Sequence, residues 1–182
     1  MGNIIGSIES EYQRYRKLGE GAIAQLDDEE LARKPAGAGN SVATIVWHLA
    51  GNLESRFTDF LSTDGEKPWR DRESEFLPRS VTKAEVTSRW DAGWQVLFST
   101  IHGLSDAQLD TMVMIRGQQL SVCDALLRSL SHAAFHVGQI VFFAKSIRGA
   151  SWEYLTIPPG QSSSYNQNPN MEKAPRDVTR RK

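Results

Sequence analysis

The sequence predicts an all-α protein, a four-helix bundle of two antiparallel hairpins joined by a long crossover. Three observations carry that expectation. Four long stretches place apolar residues at helical spacing, no stretch shows convincing strand alternation, and one long charged connection with two prolines lies between the second helix and the third.

In the first stretch, residues 4–26, Ile4, Ile8, Tyr12, Tyr15, Leu18, Ala22 and Leu26 share one arc of a helix. Asp27, with Glu30 three places on, reads as a capping box that opens a short turn, and Pro35, Gly37 and Gly39 break the chain. The second helix starts at Asn40 or Ser41 and runs to about Leu61, with Val42, Ile45, Val46, Leu49, Leu53, Phe57 and Phe60 as its stripe. The crossover follows from Thr63 to Arg79. Loops of that length are usually functional or disordered; a solvated crossover is one reading, while Trp69 and Phe76 suggest that this one packs somewhere.

Thr82 and Glu85 form a capping box for the third helix, which turns Val86, Trp90, Trp94, Leu97 and Ile101 inward and ends at Gly103. Ser105 with Gln108 caps a further short turn, and Met112 to Ile115 reads as a short extended segment before Arg116-Gly117. Ser121 opens the fourth helix, which runs to about Ile147 with Gly149 as its stop. A faint repeat links the two halves. Leu26-Asp27-Asp28-Glu29-Glu30-Leu31 echoes Leu104-Ser105-Asp106-Ala107-Gln108-Leu109, and each precedes a helix opening in Ser-Val, at Ser41 and at Ser121. Helices two and four are then pseudo-equivalent and could build one shared site. Residues 1–160 are expected to form the bundle, with Trp152, Tyr154, Leu155 and Ile157 anchored. Residues 161–182 form a polar C-terminal tail, flexible or packed only through Tyr165.

Composition narrows the function classes. The 182 residues suit one domain with a sizeable core. A net charge of −1 and a pI near 6.4 lack the electrostatic footprint of a nucleic-acid binder, and the basic end from Arg176 to Lys182 reads as a solvated tail. The lone Cys123 excludes an intrachain disulfide and a cysteine-rich zinc site. No run reaches the roughly 18 apolar residues of a membrane span, and the first residues lack the basic start and apolar block of a signal peptide. A cytoplasmic protein acting on a small molecule is the expectation.

The chemistry concentrates in Ser129 to Val141, where His132 and His136 stand four residues apart in an apolar helix. Residues at i and i+4 lie roughly 5–6 Å apart at Cβ on one face, so two imidazoles can reach one divalent cation. Two hydrogen-bonded helix histidines would give the same pattern. A third ligand decides between them, and His48 in helix two supplies a candidate. All three histidines lie on the flank of their helix's apolar stripe, on the same rotational side, where a bundle interior meets a solvent-reachable cleft. Three histidines leave at least one position open for water or substrate. His102 sits at a helix end, where the dipole accounts for it, and is excluded.

Arg56, two turns after His48, could bind a substrate carboxylate, and Asn52, one turn after it, could orient a ligand or a water. Each could equally make an ordinary inter-helix hydrogen bond. Gln139 is placed for a hydrogen bond to a ligating histidine, Glu54 and Asp59 read as surface charges, and Cys123 as a packing residue.

One histidine in helix two followed by His132-x-x-x-His136-x-Gly138-Gln139-Ile140 in helix four resembles the DinB/YfiT-like superfamily of metalloenzymes. Gly51-Asn52-Leu53-x-Ser55-Arg56-Phe57, Gly65-Glu66-Lys67-Pro68-Trp69-Arg70 and Leu155-x-Ile157-Pro158-x-Gly160-Gln161-Ser162 resemble a bacterial subfamily of unknown function within it. The resemblance covers nearly all of residues 1–165. It implies a bundle with its crossover between helices two and three, a homodimer, and a divalent transition metal, zinc or nickel, held by His48, His132 and His136. It further implies thiol-dependent S-transferase chemistry with a low-molecular-weight thiol. Metal-dependent hydrolysis is the alternative, and a non-catalytic metal-binding bundle a second one.

Overall fold

Four long helices supply the frame, and each begins where the chain provides a cap. The computed structural model describes residues 3–37 and 39–171; the basic stretch from Arg176 to Lys182 lies outside the described residues. Helix α1, Ile4–Ala24, starts on Asn3, whose side chain accepts the Gly6 amide. A short helix α2, Asp28–Ala32, carries the expected capping box between Asp27 and Glu30. Helix α3, Val42–Phe57, is capped by Ser41, and helix α4, Lys83–His102, by the Thr82–Glu85 box. Helix α5, Val122–Arg148, starts on Ser121 and stops at Gly149, whose φ of 53° lies in the left-handed region that glycine enters without strain.

Helix α3 ends earlier than the stripe predicted. Asp59 takes a φ of 49° just beyond it, so Phe60 and Leu61 leave the helix, yet Phe60 remains buried against Phe57. Met112–Ile115, the expected extended segment, pairs antiparallel with Gln118–Ser121, giving strands β1 and β2 in a two-stranded sheet. Arg116 and Gly117 make its turn, both at positive φ, as a two-residue hairpin demands. Helix α6, Ser162–Gln167, follows the Pro158-Pro159-Gly160 segment, and the Tyr165 hydroxyl accepts the Asn170 and Met171 amides.

Which helices pack together is less direct. The most extensive pairs are α3 with α4 and α1 with α5; α3 also meets α5, and α1 meets α4. The pairs joined by the shorter links, expected as hairpins, are therefore not the main packing partners. Helix α2, which packs on α3, occupies the first of those links, and the β-hairpin occupies the second. The core between the four helices is dense. Trp90, Trp94 and Tyr12 are at most 1 % exposed, and Tyr12 meets Trp94 edge-on at 6.2 Å and donates to the Leu126 carbonyl at 2.8 Å. Burying each large apolar side chain contributes about 2–3 kcal/mol. Gly93 lets α4 approach α3 closely, because a Cβ there would lie 2.6 Å from Ala50 Cα. Among the described residues no helix is long and apolar enough to cross a membrane.

Candidate metal centre

Helices α3 and α5 pack against each other, and that contact carries the three histidines. His48 is buried on α3; His132 and His136 are half-buried one turn apart on α5. His48 Nε2 lies 3.3 Å from His132 Nε2, and His136 Nε2 lies 3.1 Å from the same atom. The potential ligand atoms of the three residues all fall within 4.8 Å of one another.

The opposite edges of the rings decide what those nitrogens offer. His48 Nδ1 lies 2.9 Å from Glu75 Oε2, and Arg70 grips the same carboxylate with Nε at 2.8 Å and Nη2 at 2.9 Å. Burial alone would raise the Glu75 carboxyl, but the His48 and Arg70 hydrogen bonds and the Arg70 charge hold it below its ordinary range. An ionised carboxylate only accepts, so the proton on His48 sits at Nδ1 and its Nε2 presents a lone pair. His136 Nδ1 meets Gln139 Oε1 at 2.8 Å, which leaves its Nε2 lone pair free in the same way. His132 Nε2 can donate to only one of these neighbours.

Such a cluster of acceptors is unfavourable without a cation between them. Burial, then the neighbouring His136 and His48, pushes His132 down to about 3. Burial also lowers His136, to about 4, despite the Gln139 hydrogen bond that opposes it. Both rings are thus held in the neutral form that ligates metals. The spacing fits as well. Ligand nitrogens 2.0–2.1 Å from a tetrahedral zinc lie about 3.3 Å apart, close to the two separations found here. The donor set, with the tautomers set at His48 and His136, fits a divalent transition metal.

Glu75, Arg70 and Phe76 are site residues that sequence reasoning missed. All three come from the crossover, where a single 3-10 turn, Glu73–Phe76, delivers Glu75 and Phe76 to His48. The Phe76 ring lies 4.8 Å from the His48 ring, and the Arg72 guanidinium lies over Phe76 at 4.9 Å. Gly51 makes room for the carboxylate, since a Cβ there would sit 2.3 Å from Glu75 Oε1. The length of the crossover and its aromatic residues were the available signal. No spacing rule links position 75 to position 48.

A clasp fixes the other end of the crossover. Asp64 accepts the amides of Glu66, Arg116 and Gly117 at 2.7–2.8 Å, and these bonds keep its carboxyl below the ordinary range. The Gly65 amide donates to the Met114 carbonyl at 2.8 Å, and the Gly65 carbonyl accepts from Ser55 at 2.7 Å and from Arg56. Together these bonds tie crossover, hairpin and α3 around one cavity.

That cavity, of about 600 Å³, is lined by His48 and His132, and by the predicted candidates Asn52 and Arg56. Its apolar wall includes Phe57, Phe60 and Ile115, and Arg70, Arg72, Arg116 and Arg128 join Arg56 around it. The volume suits a small molecule. His102 lies elsewhere, with Nε2 3.0 Å from Glu9 Oε1, and Cys123 is half-buried at the margin of the core. Glu54, expected as a surface charge, pairs with Arg89.

No curated protein and no solved structure matches the chain. The family described as "Protein of unknown function (DUF1572)" matches residues 3–161, from the start of α1 to just before α6. The chain belongs to that family.

Proposed function

We propose that the protein is a metal-dependent enzyme of DinB-like four-helix architecture, with His48, His132 and His136 as ligands of a divalent transition metal, zinc or nickel. The observation that carries this reading is the convergence of three ε-nitrogens, two with their tautomers set from behind by Glu75 and Gln139, at the wall of a small-molecule cavity. A purely structural ion would need closure by a fourth protein ligand, whereas three histidines would leave a position open for water or substrate beside the cavity that His48 and His132 line.

A divalent ion on three neutral imidazoles supplies Lewis acidity that lowers the pKa of a bound water or thiol toward neutrality. The chain supplies the rest. Glu75 and Arg70 hold the His48 ring, Gln139 holds His136, Phe76 covers the site from the crossover, and Asn52 is available to orient a ligand. Transfer of a low-molecular-weight thiol to an electrophilic small molecule is the preferred chemistry, with hydrolysis of a small-molecule substrate as the alternative. The exposed stripe Leu127, Phe135 and Phe142 along α5 supports a homodimer that covers this face.

The test is a thiol-conjugation assay with the zinc- and nickel-loaded protein, a panel of low-molecular-weight thiols and a chromogenic electrophile, run beside ester and amide hydrolysis assays. The expected result is turnover that His132→Ala abolishes while its helical circular dichroism persists. A wild-type protein inactive in every arm, or a His132→Ala variant as active as wild type, contradicts the enzymatic reading.

A further inference from the structure

Among the described residues, five arginines and no carboxylate line the cavity. Two of them are committed. Arg70 is 2 % exposed at its side chain and clamps Glu75; Arg56 holds the Gly65 carbonyl and Glu66. Glu66 is shared between Arg56 and Arg116, at 3.1 and 2.9 Å, so one carboxylate faces two guanidinium groups. Among the described residues Arg72 pairs only with Glu73, whose side chain is 85 % exposed, and such a pair contributes little. Arg128 is exposed and makes no ion pair among the described residues. Counting the three paired carboxylates, Glu75, Glu66 and Glu73, against the five guanidinium groups still leaves an excess of positive charge focused on one small concave space.

The less committed cations are also positioned. Arg72 lies over Phe76, which packs on His48, so one ring separates its guanidinium from the histidine cluster. Arg128 precedes His132 by one turn on the same face of α5. Arg116 stands at the hairpin turn with φ of 54°, a left-handed conformation uncommon for arginine, held there by the Asp64 carboxylate. Crossover, hairpin and α5 thus place Arg72, Arg116 and Arg128 around one cavity of a protein whose net charge is −1. Burial and the like charges of Arg116 and Arg70 also depress the Arg56 guanidinium, with Glu66 opposing them.

We infer that the cavity takes a small dianionic molecule, its two negative charges carried by carboxylate or phosphate groups, held by Arg72 and Arg128 with Arg116 at the rim. The rest of the molecule then lies along the apolar wall toward His132. The inference rests on reading the cavity as the substrate side of the histidine site, and it names the substrate class. Arginine suits this task because its planar fork matches carboxylate and phosphate oxygens two at a time.

The test is calorimetric titration of the full-length protein, both zinc-loaded and chelator-treated, at pH 7.5 and fixed ionic strength. The probes are succinate, glycerol 2-phosphate and, as monoanion, acetate. At least one dianion is expected to saturate at one per chain in the millimolar range or tighter, about tenfold more tightly than acetate. Succinate responding alone identifies a carboxylate ligand, and glycerol 2-phosphate alone a phosphate ligand. Arg72→Gln and Arg128→Gln should each weaken that binding about tenfold while leaving zinc stoichiometry intact, whereas Arg33→Gln, an exposed arginine outside the cavity, should leave it unchanged. Dianion binding to a protein that takes no zinc would sink the metal reading and keep this one. Zinc binding without dianion preference, or dianion binding unaltered in the Arg72→Gln, Arg128→Gln double variant, overturns it.

Discussion

Glu75→Ala probes the structure where fold and site meet. The Glu75 side chain is 7 % exposed and accepts three hydrogen bonds, two from an Arg70 side chain that is 2 % exposed and one from His48 Nδ1. Removing it leaves a buried guanidinium with no counter-charge, which costs about 3–5 kcal/mol. For a chain of 182 residues each kcal/mol moves the melting temperature by about 2–4 °C, so thermal unfolding should drop by about 6–20 °C. His48 also loses the partner that fixes its tautomer, and zinc affinity in a chelator-competition titration should fall about 10–100-fold. The Arg70→Leu, Glu75→Leu double variant separates the two effects. It removes both charges together, so stability should recover most of its loss. Zinc affinity should stay low, because His48 still lacks its partner. Wild-type zinc affinity in either variant would refute the role assigned to Glu75.

Gly93→Ala should destabilise the fold by about 1–3 kcal/mol in urea unfolding, because the added methyl would meet Ala50 Cα at 2.6 Å and force α3 and α4 apart; helix propensity alone would predict a gain of about 1 kcal/mol. The metal-free protein should weaken on mild acidification. His132 and His136 ionise at about 3 and 4 in the folded state against about 6.5 when unfolded, so the stability they permit is full above pH 6.5 and is lost as pH falls through that window. With the half-exposed rings discounted for solvent screening, the loss between pH 7 and 5 should be about 1–3 kcal/mol, and the His132→Gln, His136→Gln double variant should flatten it. Asp64→Ala frees the hairpin from the crossover, so hydrogen exchange at the Arg116 and Gly117 amides should accelerate at least about tenfold while the helical core keeps its protection.

Much of the fold was legible because its signals are local. The caps at Asp27, Ser41, Thr82 and Ser121 and the stripes of the four long helices follow from spacing alone, and the structure returns them within a few residues. The end of α3 was not legible, because Phe60 stays buried beyond a left-handed Asp59 and so continues the apolar pattern without continuing the helix. Helix pairing escaped as well, since link length says nothing of the short helix and hairpin folded into those links. At the site, His132 and His136 announced themselves by the i, i+4 interval, and His48 by its flank position. Glu75 and Arg70 did not, because the crossover brings them to His48 through tertiary packing with no period to read. Arg128 looked like any exposed helix charge until the hairpin and crossover placed Arg116 and Arg72 around the same cavity.

Elemental analysis of untagged protein, after purification and dialysis against metal-free buffer, shows whether His48, His132 and His136 hold one metal ion. About one transition-metal ion per chain is expected, removed by a strong chelator, restored by zinc or nickel, and missing from a folded His48→Ala variant. A wild-type protein that carries no metal and cannot be loaded with one, or a His48→Ala variant that retains the full complement, would rule that site out.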